Sequence, residues 1–204
     1  MSSNYANREP AKRLFASELE TADYHFKETD EDRAPNYLLL PSGDRANRVM
    51  MGGTLLSVED VSSDDDDSSS FWKARINDGT GEFLAFAGQY DPEAASQLQS
   101  INSDESIPPA YVIVIGKTKE YRPEEDESEV IINIRPESVA VVSAEQRDNF
   151  MKETAAHTLD RLESEEGQYV LQADERYGDR VSIMKDSVMQ VLEDIERDEL
   201  GAEE

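Results

Sequence analysis

The chain has 204 residues, with 46 Asp and Glu against 20 Lys and Arg, a net charge of −26 and no cysteine. Its length suits one domain with an appendage or two small domains. The absence of cysteine excludes disulfides, thiol nucleophiles, zinc ribbons and iron–sulfur clusters. Two histidines are too few for a multi-histidine metal site, so we expect no metal and no cofactor. Because no segment resembles a membrane span or a signal peptide, we expect a cytoplasmic protein without membrane contact.

The acidic excess has three interpretations: a disordered chain, a binder of a basic partner, or adaptation to very high salt. Disorder is disfavoured because 111–115 and 130–134 are continuous β-forming runs that need burial. Acidic residues occur in every segment, and Arg outnumbers Lys. We therefore favour a halophilic protein, with the basic partner as the alternative. At molar salt the Debye length is about 3 Å, so long-range charge cannot recruit a partner.

The N-terminal region, residues 1–35, is predicted to form a helix and a linker. The helix is expected from Asn4 to Glu20, and the charged stretch Lys27 to Arg33 follows it. Between two prolines, Pro35 to Pro41 has the composition of a buried extended segment. The apolar side of the helix consists of Ala11, Leu14, Phe15 and Leu19.

Residues 36–142 have the pattern of a β-domain. Five strands are predicted, at Arg48 to Val61, Phe71 to Asn77, Glu82 to Ala87, Tyr111 to Tyr121 and Val130 to Val142. Gly52-Gly53 predicts a bulge or sharp bend in the first strand, and Pro136 predicts an interruption of the fifth. A glycine turn at 78–81 joins the second and third strands, and a short helix is expected at Pro92 to Gln99.

Solvated acidic loops are expected at 62–70 and at 124–129. Five strands with a helix between the third and fourth, and with a long first strand broken by glycine, are the order of an OB-fold barrel. Another type of small β-barrel is the alternative. The predicted fold is therefore mainly β, with a five-stranded barrel. Its interior is expected to include Val49, Leu55, Trp72, Ile76, Phe83 and Ile113.

Residues 143–204 change to a helical period. Ser143 and Gln146 form a capping box that opens a helix reaching about Glu163. A last helix carries an apolar seam spaced three and four residues apart. The seam consists of Val181, Met184, Val188, Val191 and Ile195. It either packs on the preceding helix or the barrel, or forms a partner interface with another helix or a second copy of the chain.

Signatures of enzymes are absent from the sequence. It contains no glycine-rich phosphate loop followed by Lys, no nucleophile elbow and no His-Glu-x-x-His motif. His25 and His157 lie in polar contexts and are expected at the surface, and the run Asp64 to Asp67 is better explained as a solvated loop than as a metal site. The sequence predicts a non-enzymatic protein without a small-molecule substrate.

Positive charge is concentrated on the predicted barrel. The stretches 33–58, 71–77 and 111–122 each carry a net charge of +2, whereas residues 145–204 carry −11. Short windows fluctuate by chance, but these three coincide with the first, second and fourth strands. That is where a groove for a nucleic acid would need them.

Alternation along the strands refines this prediction, because successive residues face opposite sides of a sheet. The apolar set of the second strand, Trp72 with Ala74 and Ile76, must face the interior. Its other residues then face out, beside Leu84 and Phe86 of the third strand. Aromatic rings among cations are typical of a base-stacking surface, unless the N-terminal segment or the C-terminal helices cover them. The predicted residues for binding single-stranded DNA are Arg48, Phe71, Lys73, Arg75, Phe86, Lys117, Lys119 and Tyr121.

The sequence resembles the haloarchaeal replication protein A family, and most closely its replication protein A-associated proteins. The resemblance covers most of residues 4–142 and is carried by three segments: 33–43 with Pro35-Asn36-Tyr37, Asn47-Arg48-Val49 running into Gly53-Thr54-Leu55, and Asn77-Asp78-Gly79-Thr80-Gly81-Glu82. Some archaeal relatives carry a zinc finger, which this chain lacks. In well-known barrels of the family an aromatic residue near the end of the third strand stacks on a base. Alternation places Gly88 at that depth here, with Phe86 one step earlier.

The resemblance implies a single OB-fold partner of the replication protein A large subunit, with a role in DNA replication and repair. We therefore expect an accessory protein that binds single-stranded DNA. The alternative is a protein-interaction module of that complex in which the large subunit holds all the DNA.

Overall fold

The computed structural model describes residues 9–32, 34–62, 70–103, 110–124, 126, 129–164 and 167–202, without the side chains of 199 and 202. Several sequence predictions therefore lie outside the described residues. They concern the start of the N-terminal helix at Asn4 to Arg8, Arg33, the acidic run Asp64 to Asp67 and parts of the acidic loop at 124–129.

The described strands are β1 (Lys12–Arg13), β2 (His25–Phe26), β3 (Tyr37–Leu39), β4 (Arg45–Ala46), β5 (Arg48–Asp60), β6 (Trp72–Asn77), β7 (Glu82–Ala87), β8 (Ala110–Tyr121) and β9 (Ile131–Val142). The described helices are α1 (Ala16–Thr21), α2 (Pro92–Asn102), α3 (Ala144–Glu163) and α4 (Val170–Ala202).

The five long strands form a closed barrel. The sheet order is β1-β5-β6-β7-β9-β8, and β8 also pairs with β5, which closes the sheet on itself. Closure is possible because the long strand β5 has two partners: Arg48 to Leu55 pair with β8, and Thr54 to Asp60 pair with β6. A parallel contact between Ala85 and Ile134 joins β7 to β9. With α2 between β7 and β8, this arrangement is the predicted five-stranded OB-fold.

The alternation predicted for the second and third strands is confirmed. The interior residues with little or no exposure include Val49, Leu55, Trp72, Ile76 and Phe83. The prediction for Ile113 is wrong, because its neighbours Val112 and Val114 fill the interior instead. Ile113 faces outward and packs against the cluster around Phe150 and Met151 of α3.

The glycine pair does not bend β5 where we expected. The register shift against β6 lies between Leu55 and Ser57, and the strand runs through Gly52 and Gly53 without interruption. These glycines allow close approach: a Cβ on Gly53 would lie 2.4 Å from the Asn77 carbonyl oxygen. The interruption predicted at Pro136 is present as a register shift: Ile115 pairs with Ser138 and Gly116 pairs with Pro136, while β9 continues on both sides.

The N-terminal helix is shorter than predicted. Lys12 and Arg13 pair with β5 as a parallel strand, and the Leu14 amide donates to the Met50 carbonyl (3.3 Å). This non-local pairing prevents a helix over residues 12–15, so the helix that the structure describes begins at Ala16. Leu14 and Phe15 are nevertheless fully buried, as their apolar pattern indicated.

A buried ion pair joins the short helix α1 to α3. Glu18 is completely buried and accepts hydrogen bonds from Thr158 Oγ1 (2.9 Å) and Arg161 Nη2 (2.8 Å). Arg161 also donates to the Arg13 carbonyl (3.2 Å). Because an unpaired buried charge is strongly unfavourable, the network fixes the N-terminal segment against α3.

The two C-terminal helices pack on the barrel and on each other. The predicted capping box is present: Ser143 Oγ accepts from the Gln146 amide (3.2 Å), and Gln146 Oε1 accepts from the Ser143 amide (2.9 Å). The seam of α4 is mostly internal, since Val188, Val191 and Ile195 cluster with Phe15 and with residues of α3, and Val181 packs against the cluster of Leu39, Ala173 and Tyr177. Its buried residues are Met184, Val188, Val191 and Ile195, and Val181 is partly buried. Of the two alternatives that the sequence left open, the structure shows packing within the chain, and the seam is not exposed as a partner interface.

Candidate functional site

A groove of about 950 Å³ opens on the outer face of the barrel. We call it the aromatic groove. It is lined by Val61, Ser62, Phe71, Phe86, Gly88, Gln89, Tyr90, Asp91, Lys119, Glu120, Tyr121, Asn133, Ile134 and Arg135. These residues come from β7, β8, β9, the flanks of the loop between β5 and β6, and the turn before α2. In OB-folds the second and third strands, with the loops after the first and fourth, form the surface that binds oligonucleotides and oligosaccharides.

Two stacked phenylalanines line one wall of the groove. Trp72 pairs with Ala87 and both face the interior, so Phe71 and Phe86 project outward beside each other. Their ring centroids are 5.8 Å apart and their planes differ by 17°. Phe71 remains 41% exposed. Within the described ranges, neither the N-terminal segment from residue 9 onward nor the C-terminal helices cover this aromatic surface.

Gly88 makes room for the Phe71 ring. A Cβ at this position would lie 2.8 Å from Phe71 Cδ2, closer than side chains normally approach. Alternation placed Gly88 at the depth where an aromatic residue was expected by resemblance. In the structure the aromatic ring beside Gly88 is that of Phe71, which directly precedes the neighbouring strand β6.

Two tyrosines complete the aromatic lining. Tyr121 ends β8 and is 52% exposed, whereas Tyr90 lies in the turn between β7 and α2 and is 78% exposed. Exposed rings of this size gain little from the hydrophobic effect in folding. Exposed rings clustered around a groove indicate a surface that binds a ligand or another macromolecule.

The lining of the groove is electrically balanced, although the whole chain is strongly acidic. Its charged residues are Lys119 and Arg135 against Asp91 and Glu120. Arg135 Nε donates to both carboxylate oxygens of Asp91, at 2.7 and 2.9 Å. Lys119 forms no ion pair with the part of the chain that the structure describes. Among the described lining residues, Lys119 is thus the one cation without an ion pair, so the groove offers little positive charge to a phosphate backbone.

His25 lies behind the groove, contrary to the surface position predicted for it. Its side chain is 4% exposed and lies 3.3 Å from both Glu120 Oε2 and Thr118 Oγ1. Burial lowers the pKa of His25, although the Glu120 carboxylate opposes that shift. Its neutral form can hold β2 against β8, and the residue does not line the groove.

The structure brings together four of the residues predicted to bind DNA: Phe71, Phe86, Lys119 and Tyr121 line the groove. Lys73 lies next to them, paired in register with Phe86, and its Nζ is 4.0 Å from Glu59.

The other three predicted residues lie elsewhere. Arg75 pairs with Glu82 (3.5 Å) and Arg48 pairs with Glu137 (2.8 Å). Lys117 is exposed but does not line the groove. Their charges are therefore neutralised or displaced from the aromatic rings.

The lining residues that sequence reasoning missed include Tyr90, Asn133 and Arg135. Asn133 pairs in register with Lys119, and Arg135 pairs with Lys117. Applying the strand alternation to the fifth strand would have found both. Tyr90 lies in a turn, where no periodic signal marks the side that a residue faces.

The glycine turn quoted in the resemblance has a structural role. Asp78 is buried and accepts hydrogen bonds from the amides of Ala16 (2.5 Å), Thr80 (2.9 Å) and Gly81 (3.2 Å). The Ser17 amide donates to Thr80 Oγ1 (3.1 Å). The turn therefore caps the start of α1. Burial raises the pKa of Asp78 to about 6, although the hydrogen bonds from these donors act to lower it.

Other kinds of site are not evident in the described ranges. No group of three or more His, Asp or Glu side chains there could hold a metal ion. None of the described helices combines the length and the apolar character needed to cross a bilayer.

No protein-family model matches the sequence, and no curated protein matches it significantly. Several solved structures are similar. A crystal structure of yeast Stn1 and Ten1 has 14% identity and a TM-score of 0.41, covering 60% of this chain and 57% of that chain. The N-terminal domain of PriB from Thermoanaerobacter tencongensis has 12% identity and a TM-score of 0.30, covering 48% and 97%. An OBody bound to hen egg-white lysozyme has 10% identity and a TM-score of 0.34, covering 47% and 80%. The fold assignment rests on the strand order and closure described above.

Proposed function

We propose that this protein binds single-stranded DNA in the aromatic groove, as a non-enzymatic accessory protein of a replication protein A complex in DNA replication and repair. The observation that carries the proposal is the stacked pair Phe71 and Phe86, left open to solvent on the ligand-binding face of an OB-fold. Bases stack on exposed aromatic rings without regard to sequence.

The charge distribution supports stacking over phosphate contacts. The chain carries −26, and its groove contains as many carboxylates as cations. Phosphate contacts gain affinity by releasing counterions, and this gain disappears at high salt. Stacking persists there, so an aromatic groove suits the halophilic cytoplasm that the composition favours.

The replication protein A complex enters the proposal through the sequence resemblance in residues 4–142. The large subunit of that complex is the proposed protein partner.

A protein-interaction module without DNA contact is the second candidate function. The neutralised cations favour it, because Arg135 pairs with Asp91 and Lys73 lies near Glu59. In that case the groove would receive apolar side chains of the large subunit.

The test measures fluorescence anisotropy of a labelled single-stranded oligonucleotide of about 15 nucleotides, titrated with the full chain in molar KCl. We expect binding, and we expect Phe86→Ala to weaken it roughly 5- to 150-fold, the equivalent of one lost stacking contact. Leu171→Ala is the control, because Leu171 is 83% exposed on α4 and does not line the groove. The interaction module would be favoured by two results together. The unaltered chain would fail to bind the oligonucleotide but would capture the large subunit, and Phe86→Ala would abolish that capture.

A further inference from the structure

Tyr90 is more exposed than any other aromatic side chain that the structure describes as lining the groove. It is 78% exposed, compared with 52% for Tyr121 and 41% for Phe71. A ring with so little burial contributes almost nothing to folding. Its place at the rim of a groove already lined by stacked rings requires another explanation.

The turn that carries Tyr90 is fixed on both sides. The Asp91 amide donates to the Gly88 carbonyl (2.9 Å), which closes the turn. Arg135 of β9 donates from Nε to both Asp91 carboxylate oxygens and from Nη2 to the Tyr90 carbonyl (3.3 Å). The backbone of Tyr90 is therefore tied directly to a side chain of β9.

Asp91 pairs with Arg135 and does not cap the helix with its side chain. It is the N-cap residue of α2, followed by Pro92, but its side chain makes no capping hydrogen bond to the helix. Aspartate at an N-cap normally accepts a hydrogen bond from an amide of the first turn. Here both carboxylate oxygens of Asp91 accept hydrogen bonds from Arg135. The Asp91 side chain therefore fixes the rim of the groove and does not cap α2.

We infer that Tyr90 is a further base-stacking residue of the groove, and that Arg135 and Asp91 are positioning residues that hold its backbone in place. The inference rests on the proposed function. A fixed backbone leaves only the side chain of Tyr90 to be ordered when a base stacks, which lowers the entropic cost of binding. The pairing with Asp91 offsets the charge of Arg135, so Arg135 acts through Tyr90 and does not bind phosphate.

The experiment uses the full chain and a labelled single-stranded oligonucleotide of thymidines in molar KCl. Tyr90→Ala should weaken binding roughly 5- to 150-fold, as expected for one stacking contact, and leave the thermal midpoint unchanged. Tyr90→Phe should bind as the unaltered chain does, because stacking needs the ring and not the hydroxyl. Leu171→Ala serves again as the exposed control.

Arg135→Ala separates positioning from phosphate binding. As a positioning residue, Arg135 should matter only while Tyr90 is present, so its effect should vanish in the Tyr90→Ala background. The dependence of log affinity on log salt should keep its slope. A slope that becomes shallower by about 0.7 would identify a phosphate contact and overturn the positioning role.

The outcomes distinguish this inference from the proposed function. If Phe86→Ala weakens binding and Tyr90→Ala does not, Tyr90 is not a stacking residue, although the groove still binds DNA. If the unaltered chain does not bind the oligonucleotide, both the function and the inference fall.

Discussion

Trp72 and Phe71 are neighbours in sequence, but they should respond very differently to truncation. Trp72 is 6% exposed and lies in the barrel interior, whereas Phe71 is 41% exposed and lies on the outer face of the barrel. Trp72→Ala removes a core aromatic side chain and leaves a cavity, so it should lower the free energy of unfolding by about 3–5 kcal/mol. Phe71→Ala loses part of its burial and the stack on Phe86, so about 1 kcal/mol is expected.

Urea denaturation in molar KCl measures both variants. Circular dichroism is the appropriate signal, because Trp72 is the only tryptophan and its removal abolishes tryptophan fluorescence. The midpoint should shift strongly for Trp72→Ala and weakly for Phe71→Ala, with unchanged m-values. If Trp72→Ala does not fold, Trp72→Phe provides a milder loss of volume at the same position. Equal costs at the two positions would refute the assignment of inner and outer faces on which the groove depends.

In molar KCl, Phe86→Ala should weaken single-strand affinity more than Lys117→Ala; the reverse ranking in anisotropy titrations would indicate phosphate binding. Arg161→Ala leaves Glu18 buried without its partner and should cost about 3–5 kcal/mol by urea denaturation; a loss below 1 kcal/mol would contradict the buried network. Burial raises the pKa of Asp78 from 3.8 to about 6. Protonated Asp78 therefore stabilises the fold fully below about pH 4, and this stabilisation is lost as the pH rises through about 6. The free energy of unfolding, relative to Asp78→Asn, should fall over that range in urea titrations; a rise with pH would show that ionised Asp78 is the stabilising form.

The sequence predicted the fold best where a local pattern determines the structure. The second and third strands alternate strictly, so Trp72 and Phe86 were assigned to the correct faces. The capping box at Ser143 likewise needs only residues that are close in sequence. Ile113 was assigned wrongly because 111–115 is apolar throughout, and such a run does not show which face meets the interior. Only the packing of α3 explains why Ile113 is apolar on the outside.

Non-local contacts explain the wrong start of the N-terminal helix, and they decide between the two alternatives that the sequence left open for the α4 seam. The apolar spacing of Leu14 and Phe15 fits a helix, but pairing of Lys12 and Arg13 with β5 prevents one. The α4 seam has the spacing of a helix interface, and only the fold shows that its partner is the same chain.

The candidate site divides in the same way. Alternation identified the aromatic rings, because it depends on neighbouring residues alone. The cations were harder to assign, since their usefulness depends on acidic partners distant in sequence, such as Glu137 beside Arg48. Tyr90 was missed because a turn has no repeating pattern. The assignment of these residues to DNA binding stays a prediction.

Photocross-linking tests the central claim most directly. A single-stranded oligonucleotide containing 5-iodouracil is irradiated with the full chain in molar KCl, and the attached peptides are identified by mass spectrometry. We expect cross-links at Phe71, Phe86, Tyr90 or Tyr121, and we expect their yield to fall when excess unlabelled single strand is added. Cross-links confined to residues outside the aromatic groove, or none while the chain is folded, would contradict the proposal that this groove binds single-stranded DNA.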